Sequence, residues 1–280
     1  MVEVLGPGYF ASWAFVFGAC VGSFLNVVVA RWPKGMSVVS PGSHCPKCGH
    51  VLPWWQNLPI ISYIALRARC ASCGVRISPR YVVLEFLCGV LWAALIFRFG
   101  VGWDVLLWFW IASCCVAIVS LDLNHWWIPD LLVLQIAVAG CLMPLASGVG
   151  DWAGVAMGVV PALCLWAFVT VYGKLRGIEV MGLGDIKLFA AFGLVLGWQP
   201  LLSIILLSSL VGLLIGGSLL LFGYRHEADT SVVSDEDEEW EPPAHAIPFG
   251  PSSVLAFLGV VMLPEVLDPM DWIAALALGR

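Results

Sequence analysis

The chain has 280 residues, of which 61% are hydrophobic and 11% charged, with a mean hydropathy of +0.95. That balance excludes a soluble globular domain, which has too little interior to bury so much apolar surface. The formal net charge is −6, and no nucleic-acid partner is expected.

About eight apolar runs approach bilayer-crossing length: residues 9–30, 81–98, 104–121, 131–147, 153–173, 185–198, 200–222 and 249–264. The predicted fold is an all-α polytopic membrane protein of about eight transmembrane helices, with a zinc-ribbon-like loop between the first two. The sixth run is short enough to be tilted, partial or buried by its neighbours. No basic residue precedes the first run, Glu3 being the only charged side chain there, so the basic start of a cleavable leader is missing and a retained helix is expected. The predicted organisation is a first transmembrane helix at 1–30, a tetracysteine loop at 31–80 and a membrane core at 81–222. An acidic loop at 223–248 and a last helix with an outer tail at 249–280 complete it.

The 31–80 segment carries Arg31, Lys34, Lys47, Arg67, Arg69, Arg76 and Arg80, seven of the 13 basic residues, and no Asp or Glu. Such a loop stays in the cytoplasm, and its charges suit topology and contact with anionic lipid of the bilayer. Within it, Cys45-Pro46-Lys47-Cys48 and Cys70-Ala71-Ser72-Cys73 each offer two thiolates from a tight turn, followed by Gly49 and Gly74. Four sulfurs close a tetrahedral shell with no open position, so structural Zn²⁺ on Cys45, Cys48, Cys70 and Cys73 is expected. Disulfides are the rival reading, and the cytosol disfavours them. His44 and His50 flank the first pair, and either could replace a thiolate, although four cysteines suffice. The remaining six cysteines lie in apolar runs and read as small hydrophobes.

Further along, Asp122 ends the apolar run from Ala117 to Leu121, and Asp185 follows Met181-Gly182-Leu183-Gly184 at the start of another. A carboxylate at a membrane helix is costly and marks a functional site by default. Two of them at helix ends suggest an aspartic protease. Gly182 and Gly184 would let backbone approach a substrate peptide closely. Counting spans from the basic loop places Asp122 and Asp185 at the same cytoplasmic face. Asp130 is a rival for the first role, but it follows Pro129 at a helix start, where an acidic side chain suits the dipole. His125, Trp126 and Trp127 read as residues of the membrane interface. Lys187 reads as a headgroup anchor or a tuner of the pair. Much of the negative charge falls between Glu227 and Glu241, a solvated loop. The tail from Asp268 to Arg280 is expected to lie at the outer interface as a short amphipathic helix.

Several blocks resemble the type IV prepilin peptidases. They are Gly22-Ser23-Phe24-Leu25-Asn26-Val27-Val28 with Arg31-Trp32-Pro33, the first cysteine pair, Trp54-Trp55-Gln56-Asn57-Leu58-Pro59, and the second pair through Arg80-Tyr81 and Glu85. Asp122 with Ile128-Pro129-Asp130, then Met181 to Lys187, and Ile247-Pro248-Phe249-Gly250-Pro251 follow in order. Trp32, Ser252-Ser253 and the acidic insertion before Ile247 depart from the pattern. The resemblance implies an aspartic endopeptidase of the bacterial inner membrane that removes leaders from prepilins and pseudopilins with Asp122 and Asp185. Spacing to Ile128-Pro129 selects Asp122 over Asp130. It also implies N-methylation of the new terminus with S-adenosylmethionine, for which Glu85 and Asn26 are the best polar candidates. Their other reading is an interhelical hydrogen bond. The alternatives are another Gly-x-Gly-Asp intramembrane protease without methyl transfer, or a zinc-ordered membrane scaffold.

Overall fold

The computed structural model describes residues 2–148, 152–178, 180–221 and 248–264. The expected acidic loop, up to residue 247, and the outer tail, from residue 265, lie outside the described residues. The helices are α1 (Val2–Arg31), α2 (Ile61–Ala65), α3 (Pro79–Phe99), α4 (Trp103–His125), α5 (Asp130–Ser147), α6 (Trp152–Gly158), α7 (Val160–Arg176), α8 (Leu183–Leu196), α9 (Trp198–Leu221) and α10 (Gly250–Met262). Gly6, at φ 68°, kinks the start of α1. Among the described residues, extended pairing is confined to two isolated bridges, His44 with Val51 and Arg69 with Arg76.

The all-α membrane architecture is as expected, but the count of spans is corrected. Among the described residues, six helical stretches are long and apolar enough to cross a membrane: Gly6–Lys34, Pro79–Phe99, Trp103–His125, Asp130–Ser147, Trp152–Arg176 and Trp198–Ser218. The sixth and eighth predicted spans became α8 and α10, of 14 and 13 residues. At ~1.5 Å per residue each reaches about 20 Å, short of the ~30 Å hydrocarbon core.

The chain divides into two compact units, one of Met1–Leu121 with Leu131–Trp152, the other of Asp122–Asp130 with Ala153–Arg280. In the first, α1 lies against α3 through small residues. A Cβ on Gly22 would stand 2.8 Å from the Glu85 Cα, and one on Gly89 would stand 2.8 Å from the Phe15 carbonyl oxygen. With lipid as apolar as the side chains, such close backbone approach is what holds membrane helices together. Polar bridges assist: the Trp92 indole donates to Ser113 Oγ at 3.2 Å, and Trp110 donates to Gln135 Oε1 at 3.0 Å.

In the second unit α8 is the inner helix. Ile186, Leu188, Phe189, Ala191 and Phe192 are buried, and Phe192 stacks on Phe257 of α10 at 4.1 Å. A helix apolar all round belongs inside a bundle, which is why α8 need not reach across the bilayer. Its tightest contact is at Gly193, where an added Cβ would collide with the Gly158 carbonyl at the α6–α7 break. Gly193→Val is therefore expected to destabilise the unit by about 3 kcal/mol, the upper end of overpacking costs. Thermal unfolding in detergent checks this, and an unchanged midpoint would show that the crossing relaxes.

Candidate active site and metal centre

The two cysteine turns of the first unit are built alike. Cys45 N–H donates to the His50 carbonyl and Gly49 N–H to the Cys45 carbonyl, both at 2.9 Å. Cys70 N–H and Gly74 N–H repeat this with Val75 and Cys70, at 2.9 and 3.0 Å. Gly49 and Gly74 share a φ of 69°, the left-handed conformation that closes each turn and that a side chain would strain. All four sulfurs lie within 4.8 Å of one another. Cys45 to Cys73 and Cys48 to Cys70 are each 3.9 Å apart. A tetrahedral ion with bonds of ~2.3 Å to sulfur calls for edges of roughly 3.8 Å, so the cluster fits zinc. Backbone N–H groups of Cys48 and Lys47 hold the Cys45 thiol below its usual range, and those of Cys73 and Ser72 bring Cys70 to about 6. Cys73 moves the other way, to about 11, under burial and its hydrogen bonds with Cys48, Cys70 and Cys45.

Neither flanking histidine joins the cluster. His44 Nδ1 sits 3.0 Å from the Gly42 carbonyl, and His50 Nε2 pairs with Gln56 Oε1 at 3.3 Å. The loop is tied to the helix before it by Arg31, whose guanidinium donates to the carbonyls of Pro41 at 2.7 Å and of Ser37 and Gly42 at 3.2 Å. Cys45→Ser is expected to lower zinc content and unfold the loop, so that the backbone at the already exposed Arg67, Arg69 and Arg76 becomes cleavable by trypsin, because binding energy at such a site is folding energy. Zinc content and limited proteolysis read both effects.

Asn26 and Glu85 join elements of the same unit. Asn26 Nδ2 donates to the Tyr81 carbonyl at 3.0 Å, from α1 to α3. Glu85 is buried, its Oε2 accepts the Ile60 N–H at 2.8 Å, and its carboxylate also bonds Ser23. Ile60 has φ 63°, uncommon for a β-branched residue, so this carboxylate fixes a strained corner of the loop against α3.

In the second unit, Asp122 occupies the last turn of α4. Trp126 takes φ 52° and donates its N–H to the Asp122 carbonyl at 3.0 Å, and the extended residue before Pro129 keeps the helix from resuming at once. The Asp122 side chain is buried, and its Oδ2 accepts the Gly250 N–H at 2.8 Å. That amide is one of the free donors at the start of α10, where the helix dipole favours negative charge. Gly250 must be glycine here, since a Cβ would stand 2.6 Å from Asp122 Oδ2.

Asp185 lies in the first turn of α8, whose N-cap is Gly182. Asp122 is near enough for its charge to act on Asp185. The Asp185 Oδ1 is buried and has no hydrogen-bond partner among the described residues. Gly184 lets this turn close on the loop after α4, because a Cβ there would meet Ile128 Cβ at 3.3 Å. Gly182 is exposed beside the carboxylate, where a Cβ would stand 3.4 Å from Asp185 Oδ2. Asp130 is instead paired with Lys187, whose Nζ reaches its two carboxylate oxygens at 2.8 and 3.0 Å, and both side chains are more than half exposed. His125 is exposed at the end of α4.

Residues 16–99 match the family model described as Bacterial Peptidase A24 N-terminal domain, and residues 108–217 match Type IV leader peptidase family. A protein of Myxococcus xanthus (strain DK1622) named Prepilin leader peptidase/N-methyltransferase is 38% identical over 242 residues, 85% of this chain and 72% of its own. The chain belongs to the type IV leader peptidase family. Relatives carrying the same name in Aeromonas hydrophila and Stutzerimonas stutzeri are 32% and 33% identical. They align over 89% and 92% of this chain, and over 89% and 91% of their own lengths. No solved structure gives a significant match. The first family segment contains the tetracysteine loop and the second contains both aspartates. Gly250 lies beyond both. Its sequence block was visible, but only the bond to Asp122 gives it a role.

Proposed function

We propose that this member of the family cleaves the leader peptides of prepilins and pseudopilins, with Asp122 and Asp185 as the catalytic pair at the cytoplasmic face of the inner membrane. The observation that carries the reading is the meeting of these two carboxylates, one bonded to a helix-terminal amide and the other with a buried, unpartnered oxygen. Two close carboxylates do not both ionise cheaply and share a proton. Asp122, steadied by the Gly250 N–H, is assigned the proton taken from water. Asp185 is assigned the protonated role, its unpartnered Oδ1 aimed to donate toward the scissile carbonyl. The exposed Gly182 and the small Gly184 leave room for an extended substrate backbone beside it.

The name N-methyltransferase carried by the relatives supports a second half of the proposal: methyl transfer to the newly exposed terminus, for which S-adenosylmethionine is the proposed donor. Asn26 and Glu85 each commit one polar atom, Nδ2 and Oε2, to joining α1, α3 and the loop, which supports a structural role for both. We assign them to positioning the tetracysteine loop. Cys45, Cys48, Cys70 and Cys73 would hold zinc, which supplies a cross-link that keeps the loop folded.

The test is full-length protein in bilayer nanodiscs with a prepilin, its product weighed with and without S-adenosylmethionine. The expected product lacks the leader in both cases and gains one methyl group only with the donor. Cleavage with no mass gain would leave a peptidase and remove the transferase, and absence of cleavage would remove both.

A further inference from the structure

Below the second cysteine turn lies a cavity of about 560 Å³ whose lining includes Tyr63, Ser78 and the three arginines Arg67, Arg69 and Arg76. Neither the aspartate pair nor the thiolate cluster uses it. Arg69 and Arg76 face each other across an antiparallel bridge. Directly opposed residues project to the same face, and like charges there repel. Arg67 and Ala68 take φ values of 53° and 57°, and the bend is held by Ala68 N–H on the Tyr63 carbonyl and Ile77 N–H on the Ala68 carbonyl, both 2.8 Å. The bend brings Arg67 into the lining of the same cavity as Arg69 and Arg76. Among the described residues no ion pair involves Arg67, Arg69 or Arg76, and the segment 31–80 itself contains no Asp or Glu.

We propose that this cavity binds a phosphate group. Three guanidinium forks suit an oxyanion with three or four acceptor oxygens better than a carboxylate with two, and they repel a sulfonium or ammonium ligand. Pro79 lines the cavity and opens α3, a membrane-spanning helix, so the site lies where lipid headgroups begin. The phosphate belongs either to a phospholipid headgroup or to a soluble molecule, and the chemistry of recognition is the same for both.

The experiment uses zinc-loaded full-length protein and two probes. Phosphatidylglycerol retention is measured by native mass spectrometry, and inorganic phosphate binding by calorimetry. Arg69→Gln/Arg76→Gln is expected to weaken binding roughly 10- to 100-fold, the weight of charge-assisted bidentate bonds. Lys34→Gln/Lys47→Gln removes the same charge from the same loop outside the cavity and is expected to change it less than about twofold. A loss seen only with phosphatidylglycerol assigns a lipid headgroup, and one seen only with inorganic phosphate assigns a soluble ligand. Equal losses in both pairs of variants, no loss in either, or no binding of either probe by the wild type overturns the site. Zinc content monitors folding. If the Gln pair loses its metal, Arg69→Lys/Arg76→Lys decides, with about a tenfold weakening expected because Lys cannot bind bidentately. Binding equal to wild type in that variant also overturns the proposal.

Discussion

Asp122→Asn and Asp185→Asn are each expected to slow leader removal by roughly 10³-fold, within the range contributed by a positioned acid or base. Asp130→Asn is expected to stay within about threefold of wild type, since an exposed ion pair is worth little. The substitutions are isosteric, so the three proteins should fold alike, and cleavage rates in nanodiscs compare them directly. The contrast rests on surroundings. Asp122 is buried and bonded to Gly250, and Asp185 keeps one buried oxygen without a partner, whereas Asp130 is an exposed member of a pair with Lys187. Retained cleavage in either of the first two variants would break the assignment. Loss in the third would move the first role from Asp122 to Asp130.

Gly250→Val is expected to lower the cleavage rate about 100-fold with the fold retained. Its Cβ would stand 2.6 Å from Asp122 Oδ2, so either the carboxylate or the first turn of α10 must move. Movement of either breaks the 2.8 Å bond. A hydrogen bond to a charged group is worth about 2–3 kcal/mol, which sets the size of the effect at about two decades. The neighbouring Ser252 is the control. Ser252→Val adds bulk in the same buried turn, on the side that faces Gly212, so a loss of rate there as large as at Gly250 would mean that α10 packing, rather than the bond, is what matters. A rate for Gly250→Val within threefold of wild type would remove the amide from the mechanism.

Legibility of this chain in its sequence depends on how local each feature is. The cysteine turns were readable because two ligands three residues apart, followed by glycine, define a turn without help from the rest of the chain. Their geometry agrees down to the shared φ of Gly49 and Gly74. The apolar runs gave every long helix. Hydropathy also placed the ends of α8 and α10 within two residues, at 185–198 and 249–264; what it did not give is that helices of 14 and 13 residues fall short of a full span. Lys187 was read as an anchor or a tuner, and its actual partner, Asp130, is 57 positions away. Asn26 and Glu85 were open between cofactor and helix contact, since a polar residue in an apolar run looks the same either way until its partner is known. The bond from Gly250 to Asp122 crosses 128 positions. Nothing in local periodicity says which helix start will meet which helix end.

That distance along the chain also fixes an order of events during synthesis. Asp122 and Asp185 leave the ribosome well before Gly250, and the amide that orients Asp122 is supplied only when the final described helix arrives. Until then a nascent chain holds both acids but lacks the group that aims one of them. On the proposed mechanism, assembly of this final described helix is the step that completes the pair, and a translation product ending before residue 250 is expected to be slowed at least as much as Gly250→Val.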